Sequence, residues 1–555
     1  MKKLLATIAI LLPLASFAGE IEDIIPAPQK VEVLKGTFRA GGTSIKCDPS
    51  VPAGVIDAIN RFSNSLSIGS GKTSYVSTPI GLKESVESGN GKGLIFLKDA
   101  SLKPEHYSIS ISNKLALVKA SDLNGFIYAI ETLKQLLPVE IYGNIFNEDV
   151  RWNLPCCVIE DGPRFGYRGM HLDCCRHFWT LDEIKKYLDV MTIYKLNRFH
   201  WHLTDDQGWR IEIKKYPLLS QIACYRNGTM IGRDFSSNDY IRYGGFYSQE
   251  EIREIIDYAA ERGITVIPEI ELPGHMLAAM SAYPWLGCSG GPYEAWTKWG
   301  ISEQVICPGK ESTFTFIENV LAEVAELFPC EYIHIGGDEC PKVEWEKCEL
   351  CQAKIRELGI KGDDKFTAEQ YLQSYVTKRV QDFLATKGKK IIGWDEILEG
   401  ELTPGATVMS WRGQSGGQEA AAKGFDAIMV PTSHFYFDYC QSEDAEHEPL
   451  CIGGYVSVEK VYSFDPMEGI SPENQSHILG VQANLWTEYI KTDEHLEYML
   501  LPRLLALSEV QWCAPENKDY VRFVRAVTGH GFKALDCAGY TYAKHLIGVS
   551  GDNIK

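Results

Sequence analysis

From about residue 165 onward the chain repeats one pattern. Short apolar runs rich in β-branched residues alternate with longer stretches whose apolar residues recur every three or four positions. Short unbroken runs mark buried strands, and the 3.6-residue period marks helices. The runs predict strands at 167–173, 197–203, 265–270, 332–336, 390–394, 407–411, 426–430 and 479–484. The amphipathic stretches predict helices between them, among them 181–194, 248–262, 313–327 and 367–386. This β-α alternation fits an α/β fold, a (β/α)8 TIM barrel with insertions. No Gly-x-Gly-x-x-Gly follows a strand and no phosphate-loop motif occurs, which argues against a doubly wound nucleotide fold.

The first part of the chain reads differently. Residues 107–112 alternate polar and apolar as a half-buried strand does, 114–119 reads as a second strand, and 125–137 has helical spacing ending at Pro138. A smaller α+β domain therefore precedes the barrel. The division expected is a leader at 1–18, the α+β domain at 19–160 and the catalytic barrel at 161–555.

The leader rests on Met1-Lys2-Lys3, an apolar run to Phe17, and small residues at Ser16 and Ala18. That is the form of a secretory signal peptide, so the protein is expected in the periplasm or outside the cell. No later run is long and apolar enough to predict a membrane span. The net charge is −19, and no basic stretch rises above that background, so nucleic acid is not an expected partner.

The chemistry gathers at the predicted strand ends, where such barrels build their sites. The run Tyr332-Ile-His334-Ile-Gly336-Gly337-Asp338-Glu339-Cys340 starts as a strand, breaks at two glycines and ends in adjacent acids. Neighbouring strand residues point to opposite faces, but a Gly-Gly break lets the chain turn and bring both acids to one cavity. Paired acids resist joint ionisation, so one keeps a proton for acid catalysis of a glycosidic bond. An Asp-Glu pair also suits the first turn of a helix.

Other strand ends carry Asp173 with Arg176-His177, His202 with Asp205-Asp206, Glu269 with His275, and Trp394, Trp411 and Trp486-Thr-Glu488. Tryptophans from three strands among carboxylates suggest a carbohydrate pocket, since aromatic faces pack on sugar rings and acids bond hydroxyls. A metal-dependent amidohydrolase is the competing reading. His200 and His202 face the same way on a strand and, with Asp338, resemble barrel metal ligands. A carbohydrate-binding protein and a two-carboxylate glycosidase also remain open at this point. The 16 cysteines of an exported chain can pair. Cys340, Cys348 and Cys351 cluster after the acids and are expected as a local disulfide or buried thiols. Zinc is the lesser reading, because no second Cys-x-x-Cys of zinc-finger spacing appears.

Taken together, these motifs resemble family 20 glycoside hydrolases, the exo-acting β-N-acetylhexosaminidases. The match covers the whole barrel in order: Arg168-Gly169 with Asp173 and Arg176-His177-Phe178, His202 to Arg210, Pro273-Gly274-His275, and His334 to Glu339. It continues through Gly393-Trp394-Asp395-Glu396, Trp411-Arg412-Gly413, Tyr436-Phe437-Asp438 and Trp486-Thr-Glu488. The resemblance implies retaining, substrate-assisted catalysis through an oxazolinium intermediate. It implies Glu339 as general acid and base, Asp338 as the group orienting the acetamido nitrogen, and Tyr436 as the holder of the acetamido oxygen. Trp394, Trp411 and Trp486 would wall the sugar, and Arg168, Asp438 and Glu488 would bond its outer hydroxyls. Asp206 and His275 would tune the acid from behind. The implied substrate is a glycan ending in β-linked N-acetylglucosamine or N-acetylgalactosamine, and no metal or organic cofactor is implied.

Overall fold

The computed structural model describes residues 21–444 and 446–548. The expected leader lies outside the described residues. A seven-stranded sheet forms the first domain from β1 (Lys30–Arg39), β2 (Ile45–Cys47), β3 (Val76–Ser77), β4 (Gly93–Lys98), β5 (Tyr107–Ile111), β6 (Leu115–Ala120) and β7 (Asn153–Asp161). Their order across the sheet is β1-β7-β5-β6-β4-β2-β3. Helices α1 (Ala53–Ser70) and α2 (Leu123–Leu136) pack in its apolar core with Phe62, Leu66, Phe126 and Leu133. The pattern reading saw β5, β6 and α2 here and missed β1, whose side chains are exposed at nearly every position and so leave no burial rhythm.

The second domain is a closed, parallel eight-stranded barrel. Its strands are β8 (Tyr167–Asp173), β9 (Arg198–His202), β10 (Thr265–Glu269), β11 (Tyr332–His334), β12 (Lys390–Trp394), β13 (Thr407–Ser410), β14 (Asp426–Met429) and β15 (Ile478–Ala483). Each pairs with the next in sequence, and β15 closes on β8. Seven fall within the predicted windows, and β15 begins one residue before its window, at Ile478. β11 stops two residues short because Gly336 and Gly337 both take positive φ, which leaves the ladder. The outer helices include α3 (Leu181–Ile193), α4 (Gln249–Ala260), α5 (Glu311–Leu327), α6 (Glu349–Glu357), α7 (Ala368–Thr386) and α8 (Arg503–Trp512). Thr180–Glu183, Ser248–Glu251 and Thr367–Gln370 form reciprocal capping boxes that start α3, α4 and α7. Bulky apolar residues fill part of the barrel, among them Ile267, Ile392, Met409 and Ile428.

A buried polar seam joins the two domains. Arg168, 1% exposed, donates to Glu105 Oε1 and Oε2 at 3.0 and 3.2 Å, to Tyr128 Oη at 2.6 Å, and to the carbonyls of Phe165 and Lys195. Lys195 Nζ reaches Asp161 at 3.1 Å, and Trp512 of α8 donates to the same carboxylate at 2.9 Å. Arg168 and Lys195 both lie over the Trp512 ring.

This corrects one expectation. Arg168 is not a sugar ligand. It is the second residue of β8, five residues before the strand's C-terminal end. At about 3.3 Å per residue it sits about 16 Å from the face where the site forms. Burial works against a charge on Glu105, but Arg168 outweighs it and holds the carboxyl down at about 2. The stabilisation from that shift is therefore complete at neutral pH and is lost only as pH falls from the ordinary carboxylate range toward 2. Arg168→Met leaves Glu105 unpaired at the seam, and such losses cost about 3–5 kcal/mol. Denaturant unfolding should show that loss, with ligand binding by the folded protein unchanged. Weakened ligand binding at wild-type stability would return Arg168 to the site.

Candidate active site

The C-terminal ends of the strands surround a cavity of ≈ 550 Å³, a size that suits a small-ligand pocket. Its lining includes Asp338, Glu339, His275, Trp394, Trp411, Tyr436, Asp438, Trp486 and Glu488. The fold thus brings these expected residues together from six barrel strands and the loops after them.

The acid pair arrives by the turn that the two glycines permit. Gly336 has φ +65° and Gly337 φ +101°. A Cβ on Gly336 would lie 1.8 Å from Glu271 Oε2, so no other residue fits there. Glu339 itself takes φ +43°, and His275 φ +51°. Both are left-handed values that L-residues rarely hold, a strain typical of functional sites. The turn does not begin a helix. Both acids face the cavity, with His275 Nε2 3.7 Å from Asp338 Oδ2 and 3.6 Å from Glu339 Oε2.

His275 is itself held from behind. Its Nδ1 lies 3.2 Å from Asp206 Oδ2 and 3.3 Å from Asp205 Oδ1. Burial opposes a charge on the ring, but Asp205 and its other acid neighbours prevail and its pKa rises well above the ordinary value. Asp206 also accepts from the Leu277 N–H at 3.0 Å. Burial lifts Asp338, against the pull of His275 and with the push of Glu339, to about 6.

The tryptophans are oriented by carboxylates at their backs. Trp394 donates to Glu269 at 2.8 Å, and Trp411 to Glu396 at 2.9 Å. Trp394 and Trp486 meet at 6.0 Å between ring centroids, while Trp411 stacks with Tyr436 at 6.2 Å. At the far side Asp438 and Glu488 are raised in pKa by burial, Asp438 strongly. Asp338 Oδ1, Asp438 Oδ1 and Glu488 Oε2 are buried and have no hydrogen-bond partner within the protein. Buried acceptors without donors are costly, and three of them point to a ligand that brings donors.

Arg176 supplies the cation that Arg168 does not. It lines the cavity over the Trp486 ring at 5.1 Å, with Asp205 at 2.9 Å and Gln207 at 2.9 Å. Its signal was legible: it stands three residues past the end of β8, on the side where sites form. Arg233, Trp299, Ile452 and Tyr489 complete the mouth. They come from loops without a periodic pattern, and no sequence signal marked them. The one disulfide among the described residues, Cys440–Cys451, staples the loop between Asp438 and Ile452.

The amidohydrolase reading fails on geometry. His200 has Gln482 on Nδ1 at 3.0 Å and Glu269 on Nε2 at 3.1 Å. His202 lies between Glu269 and Asp205, a carboxylate on each ring nitrogen. Asp338 faces His275 instead. Neither histidine lines the cavity.

Comparison with known proteins agrees with this geometry. The model of the glycosyl hydrolase family 20 catalytic domain matches residues 165–515, and that of the family's domain 2 matches 22–162. A beta-hexosaminidase of Porphyromonas gingivalis is 45% identical over 444 residues, which are 80% of this chain and 55% of that protein. The chain thus spans little more than half of that relative. The crystal structure of a GH20 exo beta-N-acetylglucosaminidase from Vibrio harveyi with N-acetylglucosamine superposes with a TM-score of 0.79 at 31% identity. The superposition covers 95% of this chain and 79% of the other. The beta-N-acetylhexosaminidase of Bacteroides fragilis gives 0.77 at 30% identity, covering 95% and 99%. With its barrel and its preceding domain both matched, the chain belongs to glycosyl hydrolase family 20.

Proposed function

We propose that this protein is a retaining exo-β-N-acetylhexosaminidase that removes terminal β-linked N-acetylglucosamine or N-acetylgalactosamine from glycans. The three unpartnered carboxylate oxygens in a tryptophan-walled cavity carry the reading. A terminal amino sugar offers hydroxyl and amide N–H donors to those acceptors and a ring face to the indoles. The Vibrio relative, solved with N-acetylglucosamine, supports the same ligand class.

In this reading Asp438, Glu488 and Arg176 bond the outer hydroxyls and close one end of the cavity, so cleavage removes the terminal unit. Trp394, Trp411 and Trp486 wall the ring and the acetamido group. Asp338 accepts the acetamido N–H, and the Tyr436 hydroxyl donates to its carbonyl oxygen. That oxygen attacks the anomeric carbon as Glu339 gives its proton to the departing glycosidic oxygen. The resulting positive charge spreads over the oxazolinium ring beside Asp338. Glu339 then takes a proton from the water that opens the ring, which restores the acid and retains the configuration. Holding the acetamido group in place makes the attack intramolecular, an advantage that reaches about 7–11 kcal/mol in well-oriented cases.

The leader supports export to the periplasm or beyond, where glycans are met. Among the described residues no helix is long and apolar enough to cross a membrane.

Hydrolysis of aryl β-glycosides with and without a 2-acetamido group tests the mechanism. Turnover should be confined to the acetamido sugars. Equal rates on both would replace substrate assistance with a protein nucleophile, and binding without turnover would make this a lectin-like protein. Glu339→Gln should lower kcat/KM by about 10²–10⁴ on substrates with poor leaving groups and far less on activated aryl glycosides. Equal losses would remove it as the acid. Asp338 stabilises the positive charge of the oxazolinium ring only when ionised, so kcat/KM should fall as pH drops through about 6. Asp338→Asn should flatten that limb as well as slow the reaction, and an unchanged limb would assign it to another group.

A further inference from the structure

Four cysteines that lie far apart in the chain meet beside the acid-bearing loop. Cys288 follows a short turn in the long connection after β10. Cys307 stands near the end of that connection, in Cys307-Pro308-Gly309. Cys348 precedes α6, and Cys351 lies in its first turn. Their sulfurs all lie within 4.8 Å of one another. Cys307 Sγ is 3.5 Å from Cys351 and 3.7 Å from Cys348, and Cys351 is 3.8 Å from Cys288.

These distances discriminate between chemistries. A disulfide joins two sulfurs at about 2.05 Å and leaves a pair. Here Cys307 and Cys351 each have two sulfur neighbours, so the arrangement is four-centred. Four thiolates around one zinc at about 2.3 Å form a tetrahedron with edges of about 3.8 Å. The three separations of 3.5, 3.7 and 3.8 Å lie at or slightly inside that edge, and the other three pairs lie within 4.8 Å.

The backbone is shaped to the same end. A Cβ on Gly309 would lie 2.4 Å from the Leu350 carbonyl carbon and 2.6 Å from Cys351 N, so only glycine lets the two cysteine segments touch. Gly287 and Ile306 form an antiparallel bridge that holds the segments carrying Cys288 and Cys307 against each other. The Cys307 N–H donates to Leu286 O at 2.8 Å. Lys310 Nζ bonds the carbonyls of Trp285 and Gly287, and Trp345 Nε1 bonds Ile306 O.

We propose that Cys288, Cys307, Cys348 and Cys351 bind a structural zinc ion. The two single cysteines supply what a second Cys-x-x-Cys would supply, which is why spacing alone did not find the site; Cys340, adjacent in sequence, is no part of it. The four thiols release their protons to solvent on binding. The ion has no open coordination position and takes no part in the hydrolysis. It pins together the two loops that carry His275 and Glu339: Cys288 lies 13 residues beyond the former and Cys348 nine beyond the latter.

The test is elemental analysis of the full exported chain purified without chelator or reductant. The expected result is one zinc per chain. A thiol-binding mercurial should release it, and Cys348→Ser with Cys351→Ser should lower zinc content at least tenfold and lower Tm. Should that variant fail to fold, wild-type enzyme produced with cobalt should show the thiolate-to-metal absorption of a tetrahedral site. Metal-free protein overturns the proposal, whether mass spectrometry of unreduced peptides finds disulfides among the four or alkylation finds four free thiols. Cobalt-loaded enzyme without the thiolate band overturns it as well.

Discussion

Glu269 is the group on which the site's geometry depends. It ends β10 at the centre of the barrel with no solvent exposure. One carboxylate oxygen meets His334 Nδ1 and Trp394 Nε1, each at 2.8 Å. The other meets His202 Nδ1 and, at 3.1 Å, His200 Nε2. Burial works against its charge, but the surrounding histidines prevail and hold its pKa well below the ordinary value, while that of His202 is well above. A buried ion pair of this kind gains little net stability, yet removing one member leaves a stranded charge. What it provides is position. Trp394 is turned toward the cavity because its N–H is held from beneath. His202 passes the constraint to Asp205 at 2.9 Å, Asp205 to Arg176 and His275, and His275 to Asp338 and Glu339. One path of hydrogen bonds and close ion pairs runs from the barrel core to the acid pair.

The strained turn explains why that path is needed. Glu339 and His275 both hold left-handed backbone conformations that cost free energy. Such residues stay in place only where their surroundings over-determine them. Gly336 lets the chain pass against Glu271, and Gln373 donates to the Gly337 carbonyl at 2.7 Å. Beyond the acids, Trp345 and the cysteine cluster fix the returning chain. The loop is thus held on both sides of Glu339.

The barrel was legible because its strands are short apolar runs and its helices have caps and a clear period. The acid pair was legible because Gly-Gly-Asp-Glu at a strand end has a physical reading of its own. Arg168 and Arg176 show the limit. Both belong to the same motif, and residue type alone assigns either to a sugar. The distinction is depth along β8: one lies near its start, against Glu105 and Tyr128, and the other just past its end. The cysteine cluster was half legible for a different reason. Cys348 and Cys351 form a visible Cys-x-x-Cys, but Cys288 and Cys307 are single residues in the long connection after β10, and only tertiary packing makes them neighbours of that pair. The same holds for Arg233 and Tyr489, whose loops lack any repeating pattern.

The balance of charge in the cavity bears on what it admits. Asp338, Asp438 and Glu488 share one small volume with Glu339, and Glu396 stands behind Trp411. Burial raises Asp338, Asp438, Glu488 and Glu396, which reduces the negative charge the cavity must carry. The cations Arg176 and His275 are already committed to Asp205 and its neighbours. An anionic ligand would meet four acids, with Arg233 at the mouth, bonded to the Cys451 carbonyl, as the one lining cation not paired to a carboxylate among the described residues. A neutral ligand with many donors meets acceptors that the protein itself leaves unsatisfied. The arrangement that leaves these acceptors unsatisfied is therefore the one that favours an uncharged ligand rich in hydrogen-bond donors.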